Sequence, residues 1–251
     1  MIRIRNITKR FGAQLVLDGV NLDIADGRTT AIVGPSGTGK SVLLKIITGL
    51  LPADSGEVLV DHESMTGAEN DRERRRICRK MGVLFQSAAL FDSMNLLDNT
   101  AFPLRHSAER RLDEAEIIEK SVAMLHEVGL AGYELALPGE VSIGMRKRVG
   151  IARALVTEPE VILFDEPNTG LDPEMGQDIY DLIKETQEKI GFTGIVVSHE
   201  LPEVFQVCDR VAMLWRGRVQ IDGTVEEFLA CDKPVVRQFI AGDVEGPIAL
   251  Q

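Results

Sequence analysis

Cysteine is scarce in this chain: only Cys78, Cys208 and Cys231 among 251 residues. They are odd in number, far apart and without metal-ligand spacing. They read as reduced thiols of a cytosolic protein, not as a disulfide frame or a zinc site. Long apolar runs are lacking too. No stretch reaches the roughly 18 apolar residues that a membrane span needs. The opening "MIRIRNITKRFG" alternates like a strand and has no apolar signal-peptide core, so the expectation is a soluble chain able to sit beneath a membrane protein. Positive charge is in deficit. The 28 bases are outnumbered by 39 acids, for a formal net charge of −11. That argues against nonspecific coating of nucleic acid. Internal repeats, low-complexity tracts and heptad runs are absent.

What is present is an ordinary globular composition, 44% hydrophobic and 27% charged. It suits one domain, or a domain with a lobe. "IRIRNITKRF" and "LVLDGVNLDI" alternate and read as antiparallel strands with one wet face. Apolar strands follow at "GRTTAIVG", "MGVLFQ", "VILFDEP" and "TGIVVSH", with more at "GEVLVD" and "RVAMLWRGRVQIDGT". Helical spacing marks "VLLKIITGL". It also marks Ile117, Val122, Leu125 and Val128, and then Met175, Ile179, Leu182, Ile183 and Thr186. The run "DRERRRICRK" reads as a solvated helix face. Strands alternating with helices imply an α/β fold with a mostly parallel sheet. The tail after Lys233 is punctuated by Gly and Pro and reads as an arm.

Two segments carry chemistry. "GPSGTGKS" (Gly34, Pro35, Ser36, Gly37, Thr38, Gly39, Lys40, Ser41) fits G-x-x-x-x-G-K-[ST] between a strand and a helix. The glycines let backbone N–H groups wrap phosphates, and the helix N-terminus adds positive potential. Lys40 is expected on the β- and γ-phosphates and the Ser41 hydroxyl on Mg²⁺. "VILFDE" ends a buried strand in Asp165 and Glu166. Asp165 is expected to hold Mg²⁺ through water, and Glu166 to polarise the attacking water. Together they imply a nucleotide hydrolase.

The order of the remaining motifs narrows this. "GPSGTGKS", "LFQ", "VSIGMRKRVGIARAL", "VILFDEP", "NTGLDP" and "VVSHE" together resemble the ATP-binding subunit of an ABC transporter over about residues 1–230. The resemblance implies a P-loop NTPase with a RecA-like core, an N-terminal antiparallel β subdomain and an α-helical subdomain near 88–155. It implies an ATP-binding domain over 1–232 and a C-terminal extension over 233–251. ATP and Mg²⁺ are the implied ligands. It places Phe11 against adenine, with a core Phe as the plain alternative. Gln86 becomes the Q-loop glutamine that touches Mg²⁺ and water. His199 becomes the switch histidine on the γ-phosphate, and Asp172 the D-loop acid at the dimer interface, with Thr169 fitting the pattern ahead of it.

The signature of that family, usually Leu-Ser-Gly-Gly-Gln, here reads Val141-Ser142-Ile143-Gly144-Met145. Ser142 is a good N-cap, so a helix is expected from about Ile143, its N-terminus and the Ser142 hydroxyl aimed at a phosphate. Gly144 belongs to the same set. The basic run Arg146, Lys147, Arg148 is then expected near the nucleotide edge or on the solvated face. A nucleic-acid-reading helix is the disfavoured reading of that run. Ile143 departs from the family's glycine, and its branched side chain is expected to slow turnover by crowding. Because the resemblance makes the signature act in trans, it implies a homodimer sandwiching two ATP molecules, docked on a separate membrane permease.

"VLFQSAALFDSMNLLDNTAFPLR", "SIGMRKRVGIARAL" and "VVRQFIAGDVEGPI" further resemble the ATPase subunits of Mla-type, MCE-associated lipid transporters. That implies phospholipid transport across the bacterial envelope. The chain would lie peripherally on the cytoplasmic face of the inner membrane, with an MCE-domain lipid-binding protein as partner and room for a small regulatory subunit. Val235, Val236, Phe239 and Ile240 are expected to pack on the second ATPase or a small partner, or else to cap their own domain. Three other readings stay open: a transporter for another organic solute, a soluble ABC-type ATPase acting on DNA or ribosomes, and a nucleotide-sensing regulator marked by Ile143.

Overall fold

The structure is a computed structural model that describes residues 1–106 and 112–248. In chain order its elements are β1 Ile2–Phe11, β2 Gln14–Ile24, β3 Thr29–Val33, α1 Lys40–Ile47, β4 Ser55–Val60, β5 Glu63–Ser64, α2 Asp71–Cys78, β6 Met81–Leu84 and α3 Leu96–Arg105. Then follow α4 Glu114–Glu127, α5 Ile143–Leu155, β7 Val161–Asp165, α6 Pro173–Ile190, β8 Thr193–Ser198, β9 Arg210–Trp215, β10 Arg218–Thr224, α7 Val225–Leu229 and α8 Pro234–Ala241. The chain divides into two compact units, one of Met1–Cys78 with Gly191–Gln251 and one of Arg79–Ile190. Of the 88–155 helical region expected from the sequence, 107–111 lie outside the described residues. So do 249–251 of the 233–251 extension.

The first unit has two sheets. One is antiparallel, in the order β2-β1-β4-β5. Its alternation buries Ile2, Ile4 and Ile7 of β1 and Val20, Leu22 and Ile24 of β2. That is the period-2 pattern of a sheet with one covered face. The other runs β10-β9-β3-β8. In it β3 lies parallel to both β8 and β9. Every residue of β3 and β8 is buried, as strands covered on both faces require. The β9–β10 hairpin turns through Arg216 (φ 47°) and Gly217 (φ 72°). Positive φ at both central residues matches the twist of the flanking strands.

The tail is not a free arm. Proline opens α8, Gly242 closes it at φ 68°, and Val235 and Val236 are buried within the unit. Gln238 then ties back the chain beyond the helix. Its Nε2 donates to the carbonyls of Asp243 and Ile248, both at 3.0 Å, and its Oε1 accepts from the Ile248 N–H at 2.7 Å. Of the two expectations for this segment, Val235 and Val236 follow the one in which the tail caps its own domain.

The second unit pairs β6 and β7 in parallel and adds α3 to α6. A capping box at Asp113 and Glu116 starts α4. Ala101, Leu104, Ile117 and Val156 form a shared core between the helices. In α4 the position beside Val122 is filled by buried Ser121, whose hydroxyl donates to the Ile117 carbonyl at 2.7 Å. Along α6 the inward stripe is Ile179, Leu182, Ile183 and Thr186. Met175, although on the helical period, is exposed.

Candidate functional site

In the first unit, β3 feeds residues 34–39 and α1 begins at Lys40. Gly34 has φ 146° and Gly39 φ 102°. A Cβ on Gly34 would stand 2.2 Å from the Leu214 carbonyl oxygen, and one on Gly39 2.9 Å from Leu17 Cδ2. Both positions therefore need glycine, for backbone angle and for space. Thr38 Oγ1 braces the loop by donating to the Pro35 carbonyl at 2.9 Å. Lys40 is buried, and its Nζ donates to the carbonyls of Gly34 at 2.7 Å and Pro35 at 3.0 Å. The ammonium is thus held inside the loop. The α1 N-terminus has no side-chain cap, so its first amides and dipole suit an anion. Ser36 and Gly37 are exposed at the loop's tip, and Ser41 sits in the first turn of α1.

Two more residues that the sequence marked lie in this unit. In the parallel β3–β8 ladder Val33 stands opposite Ser198, so Gly34 and His199 leave the same end. His199 Nε2 is 3.8 Å from Glu200 Oε1. Phe11 ends β1 with 47% of its surface exposed, which sets aside a core role. Its segment is pinned by Asp54, which accepts from Lys9 Nζ at 2.8 Å and from the Arg10 N–H at 2.6 Å. Lys9 Nζ also lies over the Phe11 ring, 5.6 Å from its centroid, and the exposed aromatic suits stacking.

In the second unit, Leu84 stands opposite Phe164 in the parallel ladder, so Gln86 and Glu166 also leave a common strand end. Gln86 Nε2 donates to Glu166 Oε2 at 3.0 Å, and Thr169 Oγ1 donates to the same oxygen at 3.0 Å. Glu166 sits at φ 49°, a left-handed angle rare for its type. Such strain collects where a side chain must be aimed. Asp165, the last residue of β7, is buried. Asp172 caps α6, its Oδ1 accepting from the Met175 N–H at 2.9 Å.

As the sequence led us to expect, α5 starts at Ile143. Ser142 caps it, Oγ accepting from the Met145 N–H at 3.2 Å. Ile143 is 46% exposed and Gly144 is buried. The basic run departs from expectation. Lys147 lies on neither an edge nor a solvated face: it is 2% exposed. Its Nζ donates to the Gln86 carbonyl and, at 3.2 Å, to the Glu166 carbonyl. Burial lowers its pKa to about 8, with the charges of Glu166 and Asp165 opposing the shift.

In the first unit a glycine cradle with a buried lysine suits a phosphate, and in the second a buried acid followed by an oriented glutamate suits proton transfer. Residues 17–169 match the family described as ABC transporter. The chain belongs to that family. It is 43% identical over 99% of its length, and 71% of the relative's, to the probable ribonucleotide transport ATP-binding protein mkl of Mycobacterium leprae. It is 39% identical to the intermembrane phospholipid transport system ATP-binding protein MlaF of Haemophilus influenzae, covering 99% of this chain and 93% of that one. A solved dimeric ATP-binding cassette, in a post-hydrolysis state bound to ADP and Pi, superposes with a TM-score of 0.82. It is 32% identical and covers 90% of this chain and 99% of its own.

This ABC ATPase therefore has the P-loop NTPase fold, hydrolyses ATP with Mg²⁺, and works as a dimer with a membrane permease. Among the described residues no helix is long and apolar enough to cross a membrane, and no three His, Cys, Asp or Glu side chains gather as a metal cage. Mg²⁺ needs no such cage, because it keeps several waters and takes substrate phosphates as ligands.

Within each unit the structure brings together residues that the sequence had marked separately. Gly34 to Ser41 share a strand end with His199. Gln86 meets Glu166, beside buried Asp165. Sequence reasoning missed the interior place of Lys147 and the Thr169–Glu166 bond. It also missed Arg153, whose guanidinium donates to the carbonyls of Ala88 at 2.6 Å and Ala89 at 2.7 Å. One signal was available: Gly150, a glycine inside a helical run, marks close backbone approach.

Proposed function

We propose that this ABC ATPase powers phospholipid movement across the bacterial envelope, working from the cytoplasmic face of the inner membrane. Its partners on this reading are a permease, an MCE-domain lipid-binding protein and a second copy of itself, with room for a small regulatory subunit. The observation that carries the reading is full-length likeness to a protein named for intermembrane phospholipid transport, over 99% of this chain and 93% of that one. The mkl relative carries a different name, for ribonucleotide transport, and is 43% identical. That supports a second reading with a nucleotide cargo.

The site residues divide the work as follows. The backbone N–H groups of the Gly34 to Ser41 loop, Pro35 having none, bind the β- and γ-phosphates together with Lys40. Phe11 stacks on adenine. Ser41, Gln86 and, through water, Asp165 would hold Mg²⁺, which would neutralise phosphate charge. Glu166 takes the proton of the attacking water, oriented by its bonds to Gln86 and Thr169. His199 steadies the γ-phosphate. Ser142 and Gly144 of one chain present the α5 N-terminus to nucleotide held by the other, and Asp172 holds the start of α6 near that boundary.

Reconstituted vesicles test the proposal. The complex should move labelled phospholipid between membranes in an ATP-dependent way, and Lys40→Ala should stop it. ATP-dependent movement of nucleotides with no movement of lipid would overturn it in favour of the second reading.

A further inference from the structure

Two glycines let α5 approach β6 closely. A Cβ on Gly150 would stand 2.5 Å from Leu84 Cδ1, and one on Gly82 2.4 Å from the Ala154 carbonyl oxygen. Residues 147, 150 and 154 fall on one face of the helix by its period. The close approach brings Lys147 and Arg153 to the segment that follows β6. Arg153 fixes the turn at Ala88 and Ala89, both at positive φ (60° and 46°). Lys147 reaches further. Its ammonium bridges the main-chain carbonyls of Gln86 and Glu166, the two residues whose side chains meet at 3.0 Å. Burying an ammonium costs solvation, here offset by the two carbonyls and by the nearby charges of Glu166 and Asp165, so the bridge is a specific arrangement and not a default of packing.

We infer that Lys147 is a positioning residue for ATP hydrolysis: by tying the carbonyls of Gln86 and Glu166 together, it sets the side-chain contact that aims the Glu166 carboxylate. The inference rests on the proposed role of Glu166 as proton acceptor. The Lys147 ammonium is buried and donates to the two backbone carbonyls. It acts on the two loops at their backbones, from the helix whose first turn carries Ser142. A change in the pose of α5 therefore reaches Gln86 and Glu166 through one side chain.

The test uses the full chain in complex with its permease, with Mg-ATP as the probe. Lys147→Met keeps the stem and removes the donors. It should lower kcat about tenfold to a hundredfold, the scale of a misplaced reacting group. KM for ATP should stay within about twofold, because the phosphate loop is untouched. Lys147→Arg, which can still donate to two carbonyls, should recover part of the loss. Combined with Gln86→Ala, Lys147→Met should cost less than the product of the single losses, since both act through one contact. If Lys147→Met does not fold, Lys147→Gln, which is uncharged and shorter but keeps an N–H donor group, replaces it in the same cycle. A folded variant with unchanged kcat, a rise in KM alone, or fully multiplying losses would overturn the inference. Glu166→Gln serves as the reference. If it turns over normally, the reading of Glu166 fails. If it is inactive while Lys147→Met is normal, only the role of Lys147 fails.

Discussion

Gln86 and Glu166 are 80 residues apart in sequence, yet their side chains meet, Nε2 to Oε2, at 3.0 Å. The parallel pairing of β6 and β7 explains the meeting. Strands in that pairing deliver both loops to one end, and the positive φ of Glu166 turns its carboxylate toward the glutamine. Gln86 Nε2 and Thr169 Oγ1 both donate to Glu166 Oε2, which holds the carboxylate in place.

Glu166→Gln should therefore remove turnover while sparing nucleotide affinity. The expected loss in kcat is about 10²- to 10⁴-fold, the usual contribution of a general base. Thr169→Ala removes one of the two orienting bonds and should cost less. Steady-state ATPase rates, with ATP affinity by calorimetry, check both. A Glu166→Gln protein that hydrolyses ATP at the normal rate would remove the base from this site.

Ile143→Gly should raise turnover. Ile143 is 46% exposed at the first position of α5, where the resemblance to the family implies a glycine beside the partner's nucleotide. On the proposed arrangement in trans the branched side chain would crowd that approach. The glycine costs helix stability, up to about 1 kcal/mol, so a slightly lower melting temperature should accompany the faster rate. An unchanged rate counts against crowding.

The glycines of the phosphate loop should differ in cost. Gly34→Ala and Gly39→Ala meet atoms at 2.2 and 2.9 Å, whereas a Cβ on Gly37 meets nothing within 4 Å. Gly37→Ala therefore carries backbone strain alone, roughly 1–2 kcal/mol. ATP affinity should fall further for the first two than for the third. Equal losses at all three would show that space plays no part.

The packing of the tail can be tested at Val236, which is fully buried. Val236→Ala removes two methyl groups and should cost about 2 kcal/mol. A urea titration of the isolated chain reads the change. No change in midpoint would mean that α8 is not packed on its own unit in solution.

Cys208 supplies a pH dependence. Burial, reinforced by the charge of Asp209, pushes its thiol up to about 12. The folded value lies above the unfolded value of about 8.5. The stabilisation is therefore complete below that pH and is lost as pH climbs toward 12. The fall in stability between pH 8 and pH 10 should be smaller in Cys208→Ala than in the parent chain. Cys208 should also resist alkylation at pH 8, where it stays protonated.

Much of this was legible in the sequence, because the informative signals are local. The spacing of Gly34, Gly39 and Lys40 between strand and helix needs only neighbouring residues, as does the cap at Ser142. The buried strand ending in Asp165 is equally plain. Lys147 was not legible. A basic triplet reads as a wet surface, and its burial depends on Gly82 and Gly150 admitting a close helix–strand contact. The tail misled for a related reason. Gly and Pro suggested an arm, while Val235 and Val236, a single helical turn, gave too short an apolar pattern to show that they pack inward.

The most direct test of the account is to purify the chain with its membrane partners from its native host and identify both proteins and bound lipid by mass spectrometry. The account predicts a permease, an MCE-domain protein and co-purified phospholipid. A chain recovered with ribosomes or nucleic acid, or with a permease carrying nucleotide and no lipid, would contradict it.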